Sequence, residues 1–508
     1  MIGIKVTDEY ILNQGVDCFV FMCAEGFLAD KKNYAQAFKD LFKKMPHIPE
    51  LFKKQNFTGK ALTSSVVSTT IDEKLIHCIF IGLGKPGSKN TIDIENYRRL
   101  LGKAVKIAEQ LKCGSMAFDL PNPKLFGGGL DYLTKQTACI LSMADYHFNE
   151  FITEKERKGS EFLDVTMCVE TKNKKVALQG VKEGECIAKA VNKARHWVDL
   201  PPSMLTPPHL ADKALEIAKK HNLEITVFDE KQINTMGMGG LAAVSKGSDL
   251  DCRLLIMEYK TKKKGAQTIA FVGKGITFDS GGLSLKPPQH METMKEDMSG
   301  AAAVIAAMEV LAQLKPDVNV IGVTPLAENL PSGKAGKPGD IVRFYNGKTA
   351  EVRNTDAEGR LILADALSYA VKHYKLDAIV DLATLPGSCA HALGHFFSGL
   401  MSQHDELVQD IEKAADLSGD RVWRLPLHDD YKVAVKSSVA DLCNIGSPKY
   451  LAGAITAGFF LQHFVDDVPW AHLDIAGTAF DVPDIPYYRD GATGVGVRLL
   501  VELAMNWK

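Results

Sequence analysis

The chain has 508 residues, of which 46% are hydrophobic and 24% are charged. This length exceeds what one hydrophobic core usually organises, so we expect two domains. The 60 basic residues nearly balance the 62 acidic residues, which excludes a general electrostatic attraction to nucleic acid or to an anionic membrane surface.

Cysteine usage and the N-terminal sequence indicate a reducing compartment. The ten cysteines are scattered and form no CxxC pair, which predicts reduced thiols rather than disulfides or a structural zinc site. The first residues lack the basic and apolar segments of a signal peptide, and no uncharged apolar stretch reaches the ~18 residues of a membrane span. We therefore expect a cytoplasmic protein without membrane association.

The N-terminal part of the chain alternates short apolar runs with helical patterns. Residues 18–22 and 75–81 are typical of buried strands. The alternation predicts a smaller N-terminal α/β domain over residues 1–172. A further helical pattern at 173–198 ends before the pair Pro201–Pro202, where a helix cannot continue, and we interpret it as a linker helix.

Beyond residue 199 the pattern is again that of βαβ units. Apolar runs predict strands at 268–273, 318–324 and 378–383, with helices predicted at 298–314 and 361–374. We therefore expect residues 199–508 to form a larger C-terminal α/β domain with a mixed, mainly parallel central sheet flanked by helices. The first of these helices is rich in alanine and glycine, so it should be buried close against the sheet.

Charged residues follow the predicted strand 268–273 in two successive loops. The first loop is rich in glycine and carries Lys274 and Asp279. The second carries Lys286 and then Asp297, which directly precedes the small-residue helix. Because ligand sites in open α/β sheets lie at the carboxyl ends of strands, we expect these side chains to face a common site.

A third loop contains the octapeptide Asn354–Leu361, with the sequence NTDAEGRL. If this stretch is extended, the alternating side chains of Asp356, Glu358 and Arg360 face one way. Two carboxylates crowded beside an arginine repel each other and lose hydration, which costs free energy unless cations compensate. The octapeptide therefore predicts a metal site.

Together the three loops supply four carboxylates and three cationic side chains. Two divalent cations would neutralise the four acids, although a salt-bridge network with the two lysines and the arginine remains the structural alternative. Oxygen-rich ligands suit Mn²⁺, Mg²⁺ or Co²⁺, and Zn²⁺ also accepts carboxylates, so the sequence leaves the metal open. Two metals ~3.5–4 Å apart can share a water molecule, lower its pKa and polarise the carbonyl that it attacks.

These motifs resemble those of the cytosolic leucyl aminopeptidases, whose hallmark is the octapeptide NTDAEGRL. The resemblance covers nearly all of the second domain, from about residue 199 to residue 498. Further segments similar to that family stand at 275–282, 286–287, 294–302, 327–329, 383–385 and 470–477. The N-terminal region resembles the family only loosely, through its α/β character and the segment Gly82–Lys85.

The resemblance implies a hexameric metalloenzyme that releases N-terminal amino acids from peptides, with leucine-like residues preferred. It implies two metals, one held by Lys274, Asp279, Asp297 and Glu358 and the other by Asp279, Asp356 and Glu358. Lys286 would stabilise the oxyanion of the tetrahedral intermediate. Arg360 would hold a bicarbonate ion that shuttles the proton of the bridging water. One departure is Pro386, which stands where the family usually has threonine and leaves the substrate preference open.

Other sequence patterns suggest different functions. Residues 279–282 imitate the nucleophile sequence of serine proteases, but they lie in a βαβ pattern rather than on β-barrel loops. The segment 82–87 fits GxGxxG, but Pro86 interrupts the turn and Asp119 lies beyond the usual ~20-residue spacing. Some members of the resembled family bind DNA through the first domain, which leaves an additional or sole regulatory role as an alternative.

Isolated histidines and acids have structural interpretations. His391 and His395 have the i, i+4 spacing of zinc ligands on a helix, but the glutamate of HExxH is missing, which favours a structural role. Asp441 and Asp474 are most simply interpreted as turn caps, since buried aspartates near glycines often serve that purpose.

Overall fold

The structure is a computed structural model that describes residues 2–29, 36–71, 73–87, 91–157, 159 and 163–508. The chain divides into two compact units. Unit 1 comprises Met1–Lys189 and Asp484–Arg489, and unit 2 comprises Ala190–Pro483 and Asp490–Lys508. All ten cysteines lie in the described ranges and none of them forms a disulfide, as their spacing predicts.

Unit 1 contains a six-stranded sheet with the order β1-β6-β5-β2-β4-β3. Its strands are β1 (Gly3–Thr7), β2 (Cys18–Ala24), β3 (Ser64–Ile71), β4 (Lys74–Gly84), β5 (Ser115–Asp119) and β6 (Asp164–Cys168). All neighbours are parallel except β3 and β4. The accompanying helices are α1 (Gln36–Lys44), α2 (Ile48–Lys54), α3 (Ile94–Gln110), α4 (Leu130–Ala144) and α5 (Lys174–Asp199), the last of which continues into unit 2.

A short segment from late in the chain completes unit 1. Tyr487 donates a hydrogen bond from its hydroxyl to Oε1 of Glu95 on α3, at 2.9 Å. The Arg489 guanidinium donates to Oε2 of Glu109 at 2.6 Å, also on α3. A Cβ added to Gly102 would lie 2.5 Å from the backbone nitrogen of Tyr487, so the helix and the segment are in close contact.

Unit 2 contains a nine-stranded sheet and a small three-stranded sheet. The large sheet has the order β16-β15-β18-β14-β9-β11-β8-β7, and β10 also pairs with β11. Its strands are β7 (Glu224–Phe228), β8 (Arg253–Tyr259), β9 (Thr268–Gly273), β10 (Gly275–Asp279), β11 (Asn319–Asn329), β14 (Ala378–Ala383), β15 (Ser398–Met401), β16 (Val422–Arg424) and β18 (Trp470–Asp474). The small sheet consists of β12 (Ile341–Arg343), β13 (Thr349–Glu351) and β17 (Leu442–Cys443).

The centre of the large sheet is parallel and its flanks are mixed. The pairs β10–β11, β9–β11, β9–β14, β14–β18 and β15–β16 are parallel, whereas the pairs β8–β11, β7–β8 and β15–β18 are antiparallel. The flanking helices are α6 (Pro207–His221), α7 (Glu230–Met236), α8 (Gly239–Ser245), α9 (Pro288–Met291), α10 (Ser299–Leu314), α11 (Gly359–His373), α12 (Gly387–Leu393), α13 (Asp405–Ser418), α14 (Gly453–Gln462) and α15 (Val497–Met505). The prediction of two α/β domains, the larger with a mixed, mainly parallel sheet, is confirmed.

The small-residue helix α10 is packed against the sheet as its composition predicts. A Cβ added to Gly300 would lie 2.2 Å from the carbonyl oxygen of Leu382 in β14. A Cβ added to Gly273, at the end of β9, would lie 2.4 Å from the carbonyl oxygen of Gly300. The helical stretch Pro288–Leu314 is long and apolar enough to span a membrane, but 83% of its most apolar window is buried inside the protein. Its apolar character is therefore that of a core helix.

Strands β9 and β10 are separated by a single residue, Lys274. Both β9 and β10 pair with β11, at Asn319–Val323 and Leu326–Asn329 respectively. Between them, Lys274 donates its backbone N–H to Leu382 at 3.0 Å and accepts the N–H of Ala301 at 2.8 Å. The backbone of Lys274 is therefore fixed by β14 and α10, and its side chain leaves the sheet at the strand ends.

The close approach of α10 predicts the effect of adding one methyl group. Gly300→Ala should lower the free energy of unfolding by about 1–3 kcal/mol, because the new Cβ overlaps the backbone of β14. Gly387→Ala is the matched control, since Gly387 also lies in the first turn of a helix and a Cβ there would meet nothing within 4 Å. Urea denaturation of both variants measures the difference. Equal midpoints would show that the contact is more tolerant than its geometry indicates.

Candidate metal centre

Lys274 projects into a cluster of acidic side chains. Its Nζ lies 2.7 Å from Oδ1 of Asp297, 2.8 Å from Oε1 of Glu358 and 2.8 Å from the carbonyl oxygen of Thr384. The residue is 2% exposed. Burial lowers the pKa of Lys274, but the neighbouring carboxylates raise it by more, so the net pKa lies above its ordinary value. In this structure Lys274 is therefore an ammonium ion held between two carboxylates.

Lys286 occupies the other side of the cluster. Its Nζ lies 2.9 Å from Oδ2 of Asp279 and 2.6 Å from Oδ1 of Asp356. Burial lowers the pKa of Lys286, and the surrounding carboxylates raise it above its ordinary value. Two lysines thus contact four carboxylates, which leaves an excess of negative charge when all four are ionised.

Asp279 is fixed by groups of its own loop and of β11. Its Oδ1 accepts the backbone N–H of Gly281 at 2.9 Å and the side-chain N–H of Asn329 at 2.8 Å. Burial, together with the nearby carboxylate of Glu358, raises the pKa of Asp279 to about 7. A carboxyl group that is oriented this firmly and ionised this reluctantly is suited to a cation that supplies the missing positive charge.

Buried carboxylate oxygens without partners provide the test of whether a metal fits. Oδ2 of Asp297 and Oε2 of Glu358 have no hydrogen-bond partner among the described residues, although both side chains are buried. One oxygen each of Asp279, Asp356 and Glu358 lie within 4.8 Å of one another. Leaving such oxygens unpaired is costly, and hard divalent cations bind oxygen ligands of this kind. The residues present therefore fit a metal.

The octapeptide reaches the site as a turn, and the prediction of an extended stretch was wrong. The side chain of Asn354 accepts the N–H of Asp356 at 2.8 Å, and its carbonyl accepts the N–H of Ala357 at 3.3 Å. Helix α11 then begins at Gly359, with Glu358 as its N-cap residue. Asparagine favours such a turn because its side chain bonds the backbone two residues on. The turn still brings the carboxylates of Asp356 and Glu358 together.

Arg360 contacts a carbonyl rather than the acids beside it in sequence. Its Nη1 donates to the carbonyl oxygen of Asn444 at 2.8 Å, and its Nε has no partner in the described parts of the chain. Burial lowers the pKa of Arg360 to about 10, so the guanidinium stays charged near neutral pH. A buried, charged donor with an unused N–H is a candidate anion site.

Three residues of the site were missed by the sequence analysis. Thr384 follows β14 directly and donates from Oγ1 to Oδ1 of Asp297 at 2.7 Å. Asn329 ends β11 and holds Asp279. The rule that ligand sites lie at the carboxyl ends of parallel strands could have found both. Asn444 follows β17, far from the octapeptide in sequence, and no local pattern indicates its contact with Arg360.

The alternative motifs have ordinary structural contacts. The hydroxyl of Ser280 donates to the carbonyl of Asn329 at 2.6 Å rather than to a histidine. His391 and His395 each bond a backbone carbonyl at 2.9 Å. Asp474 accepts the N–H of Ala476 at 3.1 Å, as a turn cap does. None of these residues belongs to the acidic cluster described above.

Family models match both halves of the chain. Residues 192–501 match the catalytic domain of the cytosol aminopeptidase family, and residues 21–155 match its N-terminal domain. The chain belongs to the cytosol aminopeptidase family. It is therefore a peptidase of the leucyl aminopeptidase type, a metal-dependent hydrolase that acts on peptides.

Relatives and solved structures agree with this family membership. A probable cytosol aminopeptidase of Alkaliphilus oremlandii is 42% identical over 463 residues, covering 90% of this chain and 91% of the relative. One of Persephonella marina is 37% identical and covers 99% of both. A mutant of tomato leucine aminopeptidase superposes with a TM-score of 0.86 at 30% identity, covering 99% of this aminopeptidase and 96% of that chain. The bottromycin maturation enzyme BotP in complex with Mn superposes with a TM-score of 0.82 at 31% identity, covering 96% and 99%.

Gly359 leaves the space through which the Lys274 side chain passes. A Cβ added at Gly359 would lie 2.5 Å from Cε and 2.7 Å from Nζ of Lys274. Gly359→Ala should therefore displace the side chain of Lys274. We expect kcat to fall at least about tenfold, because a small misplacement of a group at the reaction site is costly. Gly333→Ala is the control, because a Cβ there would meet nothing within 4 Å. Hydrolysis of a leucyl anilide by both folded variants measures the effect, and equal rates would refute the packing argument.

Proposed function

We propose that this aminopeptidase uses two divalent cations per subunit to release N-terminal residues, preferably leucine-like, from peptides. The observation that carries the proposal is the set of buried carboxylates with unpartnered oxygens at the strand ends of unit 2. Two lysines alone do not balance these acids, and two dications would. We assign the activity to residues 199–508, joined by the linker helix 173–198 to an N-terminal domain of residues 1–172.

The proposed ligand set is the one that the family resemblance implies. One cation would be held by Lys274, Asp279, Asp297 and Glu358, and the other by Asp279, Asp356 and Glu358. The first position is supported by the short contacts of Lys274 with Asp297 and Glu358. Lys274 would have to lose its proton to act as a ligand, and the repulsion of two nearby dications favours that loss.

The metals are proposed as Mn²⁺ or Zn²⁺, with Mg²⁺ and Co²⁺ as alternatives, since the carboxylate ligands do not discriminate strongly among them. The structure of BotP with Mn, a relative at 31% identity, supports the first choice. Bound at this site, such cations would supply Lewis-acid polarisation of the substrate carbonyl and a water of lowered pKa.

Two cationic side chains would serve the reaction directly. Lys286 is only partly buried and its ammonium group lies within 2.9 Å of both Asp279 and Asp356, so it can donate to an oxyanion that develops beside them. Arg360 would hold a bicarbonate ion that moves a proton. This role is supported by the Nε of Arg360, which has no hydrogen-bond partner among the described residues. No side chain of the chain is then required as the general base.

Substrate preference, location and assembly are also proposals. The similarity to tomato leucine aminopeptidase supports preference for leucine-like residues, and the names of the relatives support a cytoplasmic location. A homohexamer follows from the family resemblance. Pro386, the N-cap residue of α12, is where we expect the substrate preference to depart from that of relatives with threonine. The family domains and the relatives named above give no support to the DNA-binding alternative.

Removing a bridging carboxylate tests the metal site. Asp279→Asn and Glu358→Gln should each abolish hydrolysis of a leucyl anilide, because each side chain would contact both cations. Metal analysis after dialysis should show fewer bound cations than in the wild type, and Mn²⁺ should raise the melting temperature of the wild type but not of the variants. Asp340→Asn is the control, since Asp340 is exposed and its carboxylate accepts the backbone N–H of Lys337. Full activity in either test variant would refute the assignment.

Lys286 is expected to act on the reaction rather than on metal binding. Lys286→Ala should lower kcat by about 10²–10³-fold, the loss typical of an oxyanion donor, with little loss of bound metal. Steady-state kinetics with metal analysis separates the two effects. Unchanged kcat would remove the proposed role, and loss of metal together with kcat would make Lys286 a structural counter-ion.

A further inference from the structure

Asn444 joins the small sheet to the octapeptide. It follows β17 directly, and β17 pairs in parallel with β13, the strand that leads into the octapeptide. The backbone N–H of Asn444 donates to the carbonyl of Glu351 at 3.0 Å, so the strand pairing extends to this residue. The residue is completely buried, although it lies in a connecting segment.

The carboxamide of Asn444 bonds both ends of the octapeptide turn. Its Oδ1 accepts the N–H groups of Arg353 at 2.8 Å and of Asn354 at 3.4 Å. Its Nδ2 donates to the carbonyl oxygens of Asn354 at 2.6 Å and of Ala357 at 3.4 Å. One side chain thus fixes the backbone on both sides of Asp356 and immediately before Glu358.

The opposite side of the turn is held by the first metal-site loop. Thr355 donates from Oγ1 to the carbonyl of Gly281 at 2.7 Å and accepts the N–H of Ser284 at 2.8 Å. Asn329 adds a hydrogen bond to the Thr355 carbonyl at 3.0 Å. The turn is therefore restrained from three places, namely the loop that carries Asp279, Asn329 at the end of β11, and Asn444.

These restraints hold together groups that repel each other. The carboxylates of Asp356 and Glu358 approach within 4.8 Å, and without a cation their charges favour separation. We propose that Asn444 is a positioning residue for the metal centre, whose side chain fixes Asp356 and Glu358 while its main-chain carbonyl fixes the guanidinium of Arg360. This inference rests on the proposed two-metal function, which it extends to a residue outside the ligand set.

The two contributions of Asn444 can be separated experimentally. Substitution of the side chain removes the bonds to the turn but leaves the backbone carbonyl that accepts from Arg360. Asp356 would hold only one of the two cations, whereas Lys274 and Asp297, whose side chains are 2.7 Å apart, would hold only the other. Loss of the carboxamide should therefore weaken the cation beside Asp356 more than the cation beside Asp297.

Calorimetric titration of the metal-free, full-length protein with Mn²⁺ alone tests this. In Asn444→Ser one of the two Mn²⁺ affinities, which we assign to the cation beside Asp356, should fall by about 10–100-fold, the usual loss when a residue that orients metal ligands is removed, and the other affinity should fall less. The kcat for a leucyl anilide should fall in the same range and recover in part as Mn²⁺ is raised, with KM little changed. Asn444→Ala should show the same pattern more strongly, and the serine variant keeps the test available if the alanine variant does not fold.

Asp441→Ala is the matched control. Asp441 binds the backbone N–H and the hydroxyl of Thr349, each at 2.8 Å, across the same pair of strands but outside the octapeptide. Its removal should lower the melting temperature without changing either Mn²⁺ affinity. If Asn444→Ser behaves like this control, with both affinities and kcat at wild-type values, Asn444 is only structural and the inference fails. If Glu358→Gln also binds two Mn²⁺ as the wild type does, the proposed function fails instead.

Discussion

The structure of the second unit depends on a local excess of negative charge that the fold buries. Asp297 and Glu358 each keep one buried oxygen unpartnered among the described residues, and Lys274 and Lys286 contact both sides of the cluster. Burying carboxylates in this way is costly unless the geometry supplies compensating charges. The surrounding elements supply that geometry, because every acid of the cluster is attached to a strand end, a helix start or a firmly bonded turn.

The fold concentrates these groups by bringing separate parts of the chain to one edge of the sheet. Strands β9 and β14 are followed directly by Lys274 and Thr384, and β11 ends in Asn329; each of these three residues bonds an acid of the cluster. Glycines allow the backbone elements to approach closely enough: Gly300 packs α10 against β14, and Gly359 leaves space for the Lys274 side chain. Both the packing of the helices and the placement of the site side chains therefore require glycine at these positions. An added methyl group would disturb the packing and the site together.

Much of this arrangement could be predicted from the sequence because it depends on local patterns. The apolar runs at 268–273 and 378–383 coincide with β9 and β14, and the charged residues after the first run converge as the strand-end rule predicts. The conformation of the octapeptide could not be predicted in this way. Alternation of charged residues suggests a strand, but the side chain of Asn354 forms a turn, and Asn444 fixes that turn from a distant segment. Such contacts arise only in the folded chain.

The segment Asp484–Arg489 has a consequence for synthesis on the ribosome. The first unit includes these residues, although the rest of that unit ends at Lys189. Translation of the intervening 300 residues (489 − 189) takes about 15–60 s at about 5–20 residues per second. During that interval Glu95 and Glu109 on α3 lack the tyrosine and arginine that bond them in the finished protein. The nascent N-terminal unit is thus complete only after nearly the whole polypeptide has been synthesised. A gene fragment that stops at residue 189 would encode this unit without the segment Asp484–Arg489.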